Sequence, residues 1–404
     1  MFEILNSHSI PASLAQESQN SLKKFMARTD IGFVSLPDRT NLWEQSQKIG
    51  GDLKAKYKSM VVVGIGGSSL GGRVLVQVVG AQNVHFVDNV DAVEFENLFN
   101  RIGSLKDTCW LFISKSGTTI ETLLSLEYID QKYKEQNLSL PSQSVAITEN
   151  KANTLTDWAK KHNVPTAEVP LDVGGRFSVL SPVGLVPAAF MGMDLRKMRE
   201  GAAQAREGSA LIESLMSHFM TSFQQNQWIT LFWFYNSRAH SLGMWLNQLW
   251  AESLGKKTDR QGRPAPRAST PMWAIGAVDQ HSVLQQVMEG AADKFVVFHR
   301  FDDAEGGNLK LQHSQFAETQ ILQGKTMGTL LKAEAIATEA ALRKSGVSTL
   351  CLKTKVLDAQ SLSYYFMLFE LVIAGLGEWL DINAFDQPGV ELGKRLAKDL
   401  LNKA

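Results

Sequence analysis

Cysteine is nearly missing from this chain. Cys109 and Cys351 are the only two, each in or beside an apolar run, so no disulfide framework and no cysteine metal cluster can be built; a reducing compartment fits. An excess of charge is also missing, because 41 Lys and Arg balance 41 Asp and Glu. That balance excludes nucleic acid or a membrane surface held by bulk charge, and a small basic cluster such as Lys256-Lys257 reads as a solvated face or a local anion contact. Long apolar runs are scarce. Met1 to Asn6 lacks the basic and apolar regions of a signal peptide. The most apolar helical stretch, Tyr364 to Gly377, reads as too short to span a bilayer and carries Glu370. Fixed-period repeats and low-complexity tracts are lacking as well. These absences lead to the expectation of a soluble, cytoplasmic protein.

What is present is a βαβ rhythm. At 404 residues the chain exceeds the usual reach of one core, so two domains are expected. Ser59 to Val63, Asn83 to Val87, Trp110 to Ile113 and Ser144 to Thr148 read as buried strands separated by helical segments. Strand signals return at Pro271 to Ile275, Lys294 to Phe298 and Ser348 to Leu352, and an alanine-rich helix is expected from about Thr329 to Lys344. Residues 1 to about 45 read as a helical lead-in. The segment from Leu195 to Leu254, with Trp228, Phe232, Trp233, Phe234, Trp245 and Trp250, reads as long and helical. The two halves therefore look alike: two αβα units with mainly parallel sheets, an α/β protein.

Three loops carry the chemistry. Ser114-Lys115-Ser116-Gly117-Thr118-Thr119 follows a strand and leads into a helix from about Thr122. Helix-start amides are unpaired donors and the helix dipole favours negative charge there. Ser116, Thr119 and Thr122 recur every three residues and, in a helix, would share a face. A cap needs only one hydroxyl; several beside a lysine favour an oxyanion. Gly64-Ile65-Gly66-Gly67-Ser68-Ser69 also follows a strand. With Asp88 it resembles a dinucleotide fingerprint, but a lone match of this kind is weak. Two neighbouring strand ends bearing hydroxyls suit a phosphomonoester better than a pyrophosphate. In the third loop, Asp172 to Ser178, two glycines allow close approach of the backbone and Arg176 can donate to ligand oxygens.

Taken together, these loops resemble those of the glucose-6-phosphate isomerase family, shorter bacterial type. Glu252-Ser253-Leu254-Gly255-Lys256, Asp279-Gln280-His281-Ser282 and Phe385-Asp386-Gln387-Pro388-Gly389-Val390-Glu391-Leu392-Gly393-Lys394 extend the likeness along nearly the whole chain. The resemblance implies two sugar-isomerase domains, each an αβα sandwich, at residues 46–195 and 196–375, with helical segments at 1–45 and 376–404. It implies interconversion of glucose 6-phosphate and fructose 6-phosphate through an enediolate, with no redox cofactor and no metal. Glu252 matches the base and Arg176 the residue that stabilises the enediolate. His281 matches the ring-opening histidine, reaching the site from the neighbouring subunit of a homodimer, and Lys394 matches a lysine that assists ring opening. Gln387 matches a substrate contact. Ser114, Lys115, Ser116, Thr119 and Thr122 match the phosphate loop, with Gly67 and Ser68 beside the sugar. Gly117 and Pro388 depart from the larger forms, which carry aromatic residues there. A dual phosphoglucose and phosphomannose isomerase and a non-catalytic sugar-phosphate regulator are the alternatives.

Overall fold

The computed structural model describes residues 1–306 and 309–403. The uninterrupted apolar runs form strands, as their composition requires. After an N-terminal strand β1 (Phe2–Asn6) come β2 (Ser59–Val63), β3 (Val84–Val87), β4 (Thr108–Ile113), β5 (Ser144–Thr148) and β6 (Thr166–Glu168). Then follow β7 (Ile229–Phe234), β8 (Thr270–Ile275), β9 (Lys294–Phe301) and β10 (Ser348–Thr354). Two five-stranded sheets result, in the orders β3-β2-β4-β5-β6 and β1-β10-β9-β7-β8. Every pairing is parallel except β1 with β10. Every residue of β4, β5 and β9 is buried, because helices cover both faces of each sheet. The first four strands of each unit have the same order, β3-β2-β4-β5 against β8-β7-β9-β10. The likeness of the halves is thus topological, without a sequence repeat.

Three expectations need correction. Residues 1–45 are not purely helical: Phe2–Asn6 is a strand, with Phe2 opposite Thr354 and Ile4 opposite Leu352. So short a stretch carries little periodicity, and its strand state comes from closing the open edge at β10. The segment from Leu195 to Leu254 is broken by β7 between the helices Ser209–Gln224 and His240–Leu254. An aromatic run buried on both faces looks the same in a strand as in an enclosed helix. Finally, the apolar stretch around Tyr364 belongs to a helix, Ala359–Trp379, of 21 residues, long enough by length to cross a bilayer. Its apolar window is 89% buried inside the protein, where it packs on the helices Leu195–Glu207, Ala12–Met26, Ser209–Gln224 and His240–Leu254. This helix is a core element packed among other helices. Within it Glu370 is fully buried, and burial raises its carboxyl pKa well above the usual range.

Candidate active site

The strand order of the first sheet reverses at β2, so the loops after β2 and β4 lie side by side at the carboxyl ends of the strands, a place where open α/β sheets bind ligands. They are in close contact. A Cβ on Gly64 would stand 2.7 Å from the Ile113 carbonyl oxygen and 2.9 Å from Cβ of Ser68. In the second loop the Ser114 and Thr119 hydroxyls are hydrogen-bonded at 2.8 Å. Thr119 precedes the helix Ile120–Glu135 without giving it a side-chain cap, so its hydroxyl leaves the first-turn amides to another acceptor. The expected helical face of three hydroxyls does not form. Ser116 and Thr119 precede the helix and only Thr122 lies within it. Gly117, at φ 67°, turns the chain before the helix starts. Thr122 is buried, with its hydroxyl unpartnered among the described residues. Lys115 lies 3.3 Å from Glu149, which Lys151 also contacts, so two cations share one carboxylate beside the loop. Gly117 also has a packing reason: a Cβ there would fall 1.8 Å from Oδ1 of Asn153. Asn153 caps the helix Thr154–Lys161 through that oxygen, which leaves no room for an aromatic residue at 117.

Arg176 is the hub of the second cluster. It is buried, in the turn Gly175–Phe177. Its Nε donates to Ser253 Oγ at 2.7 Å, and its Nη1 donates to Gln387 Oε1 at 3.3 Å. Its Nη2 donates to the carbonyls of Ala384 at 2.5 Å and Asp386 at 3.1 Å. Nη1 also faces Glu252 Oε2 at 3.6 Å. Burial pushes the Arg176 pKa down, while Glu252 and Asp386 act against that shift; a guanidinium starts so high that it stays charged. Glu252 and Ser253 sit near the end of the helix His240–Leu254, which follows β7 in the second sheet and packs on the helix Leu70–Val79 of the first unit. That crossing also sets Gln248, whose Nε2 donates to Glu252 Oε2 at 3.2 Å. The same nitrogen would lie 2.9 Å from a Cβ on Gly66. Gly67 closes the cluster, since a Cβ there would stand 2.2 Å from the Gly175 carbonyl oxygen and 2.8 Å from the Arg176 nitrogen.

The sequence-derived set thus converges in part. Glu252, Arg176, Gln387 and Gly67 meet, and Ser68 follows Gly67 in the loop after β2, with its Cβ against Gly64. His281 and Lys394 do not join them. His281 is exposed at the end of the turn Val278–His281, and Lys394 is exposed on the helix Glu391–Leu401, paired with Glu391 at 2.8 Å. Of the two expectations for Lys256, a solvated face or a local anion contact, the structure shows the anion contact. The Lys256 side chain is only 7% exposed and bonds Asp386 Oδ1 at 2.9 Å. Burial lowers its pKa, and Asp386 opposes the shift. Sequence reasoning gave no role to Gln248, Ser253 or Asp386. Gln248 precedes Glu252 by one helical turn, a spacing that could have flagged it.

A family model described as phosphoglucose isomerase matches residues 39–404. The chain belongs to the phosphoglucose isomerase family. Its relatives in the family include the glucose-6-phosphate isomerase of Campylobacter jejuni, 33% identical over 383 residues, which spans 92% of this chain and 92% of that protein. The glucose-6-phosphate isomerase of Thermus thermophilus is likewise 33% identical, over 92% of this chain and 90% of the relative. Among solved structures, a hypothetical protein from Thermus thermophilus superposes with a TM-score of 0.90 at 30% identity, covering 99% of this chain and 100% of the other. A glucose-6-phosphate isomerase from Chlamydia trachomatis gives 0.86 at 21% identity, covering 99% of this chain and 88% of that one; at that identity the likeness is one of fold. The expected family and the sugar-isomerase fold are therefore established.

Proposed function

We propose that this protein interconverts glucose 6-phosphate and fructose 6-phosphate. The observation that carries the reading is the approach of Glu252 to Arg176 at 3.6 Å beside two hydroxyl-bearing loops. In the aldose-to-ketose direction the open-chain substrate gives its C2 proton to the Glu252 carboxylate. The electron pair forms the C1–C2 double bond of an enediolate, and the O2 proton is passed to O1. Glu252 then returns its proton to C1, leaving the C2 ketone. The fixed Arg176 guanidinium faces the negative charge that develops on the enediolate oxygens. The Ser114–Thr119 loop, Lys115 and Thr122 hold the phosphate, with Gly67 and Ser68 on the sugar side. Binding energy remote from C1 and C2 keeps the sugar in register.

Ring opening is assigned to His281 and Lys394. The exposure of His281, together with exposed Val278, Leu309, Phe316, Ile321 and Met327 on the same unit, supports a homodimer in which the partner supplies this histidine. Two buried, unpaired cysteines support a cytoplasmic setting. A coupled assay of fructose 6-phosphate conversion, repeated with mannose 6-phosphate, tests the reading. Turnover of fructose 6-phosphate is expected; its absence from the folded protein would reject the assignment.

A further inference from the structure

The family match begins at residue 39, yet residues before it reach the ground beneath the active site. Phe25 and Phe33 stack on each other with ring centres 5.9 Å apart. Phe33 stacks on Phe177 at 4.9 Å, Phe25 on Phe385 at 6.0 Å, and Phe177 meets Phe385 at 5.2 Å. Phe177 directly follows Arg176, and Phe385 directly precedes Asp386 and Gln387. The four rings therefore tie together the two segments that form the hub.

A charge node supports the same place from below. The Arg28 guanidinium lies 5.2 Å from the centre of the Phe385 ring and donates to Glu378 Oε1 at 2.9 Å. The Glu378 side chain is 1% exposed and also binds Lys24 at 3.3 Å and Arg260 Nη1 at 2.7 Å. The backbone nitrogen of Arg260 in turn donates to the Asp381 carbonyl at 2.8 Å. On the other side, the Gly32 nitrogen donates to the Asp172 carbonyl at 2.8 Å, and Arg39 pairs with the Asp172 carboxylate. The N-terminal segment thus holds the approach to the Arg176 turn at Asp172 and also touches Phe385, whose neighbours accept from the Arg176 guanidinium.

We propose that Arg28, Phe25 and Phe33 are positioning residues for the isomerase reaction. They set where the backbone of Ala384 to Asp386 stands, and through it where the Arg176 guanidinium points. The physical reason lies in the guanidinium's partners. Two of its hydrogen bonds end on the Ala384 and Asp386 carbonyls, and residues 383–387 belong to no helix or strand. Their position is therefore set by side-chain contacts: Phe385 on Phe25, Phe33 and Phe177, beside the Lys256 pair with Asp386 and the packing of Ala384. A cation over the ring face adds an attraction that an apolar contact lacks. Small displacements of a charge-stabilising group cost much rate, since the group must meet the transition state where the charge develops.

The proposal rests on the isomerase reading, and its test separates the two. Arg28→Met, Arg28→Lys and Phe385→Leu are compared with the parental full-length chain. Steady-state kinetics with fructose 6-phosphate, hydrogen exchange of residues 383–388 and thermal unfolding are measured for each. Glu378 keeps Arg260 and Lys24 in both Arg28 variants, so no buried carboxylate is orphaned. Arg28→Met is expected to lower kcat about tenfold while KM stays within about threefold. Exchange in 383–388 should quicken, and Arg28→Lys should recover most of the kcat. Phe385→Leu should show the same split in kcat against KM. A parental kcat in Arg28→Met, or a loss fully accounted for by a smaller folded fraction, overturns the proposal. If the parental chain has no turnover, the functional reading fails instead, and unchanged exchange in Arg28→Met would separately remove the brace.

Discussion

The Glu252 carboxylate and the Arg176 guanidinium face each other at 3.6 Å across the junction of the two units. Glu252 arrives on the crossover helix that follows β7, and Arg176 arrives in a turn after β6. On the proposed mechanism, a base and a cation delivered by separate elements can be spaced independently, which a reaction through a charged intermediate requires. The carboxylate also keeps one hydrogen bond from Gln248, so its orientation does not depend on the arginine alone.

Glu252→Gln tests the base directly. The amide preserves size and can still meet Gln248, but it cannot take a proton. We expect kcat to fall by about 10²–10⁴-fold, with KM and the unfolding midpoint near parental. A kcat within tenfold of the parental value, measured in the fructose 6-phosphate direction, would assign the proton transfer elsewhere.

Gly67 is a second point of leverage. An alanine methyl would stand 2.2 Å from the Gly175 carbonyl oxygen, and backbone cannot yield as a flexible side chain does. Gly67→Ala should therefore displace the Arg176 turn and lower kcat about a hundredfold. Kinetics at saturating substrate provide the check, and parental turnover would show that the two loops can separate freely.

The loop proposed to hold the phosphate makes a different prediction. Lys115→Met removes a charge remote from the reacting carbons, so KM should rise about tenfold for the loss of a charged contact with kcat little changed. Competition by inorganic phosphate should weaken in parallel. A variant that lost kcat and kept KM would move Lys115 from the handle to the chemistry.

Acid stability follows from a buried histidine. Burial, with His8 as a lesser cause, lowers the His218 pKa from 6.5 to about 4. The rings of His8 and His218 stand 4.9 Å apart. The native protein holds His218 neutral, whereas the unfolded chain takes up a proton below about 6.5. Stability from this site is therefore complete above pH 6.5 and is lost as pH falls towards 4, by up to roughly 3 kcal/mol. Urea unfolding between pH 7 and pH 4.5 should show at least that slope, because burial also lowers the pKa of His299, to about 3, and those of His8 and His85; His218→Phe should make it shallower while the share of the other histidines remains. An equal slope in the variant would place the proton uptake at another group.

Much of the fold was legible because its signals are local. Apolar runs such as Met60 to Val63 are long enough to identify a strand, and the glycines and hydroxyls after β2 and β4 mark the loops. β1 escaped notice because five residues with two inward side chains carry no period of their own. β7 escaped because Ile229–Phe234 is apolar on both faces. For Lys256 the sequence allows a solvated face or a local anion contact, and the choice falls to the contact because its partner Asp386 lies 130 residues away. His281 and Lys394 were marked by motif alone, and the single chain leaves both in solvent.

The order of residues by itself determined most of the buried strands, the places of the glycine and hydroxyl loops and the family, because periodicity, turn sterics and motif spacing act over a few neighbours. Only the tertiary structure decided which groups meet. Arg176 reaches the carbonyl of Ala384, 208 residues on, and such a contact exists only once two sheets, the crossover helix His240–Leu254 and the Phe25–Phe33–Phe177–Phe385 cluster have packed. No local pattern encodes that distance, because it is set by burial summed over the whole core.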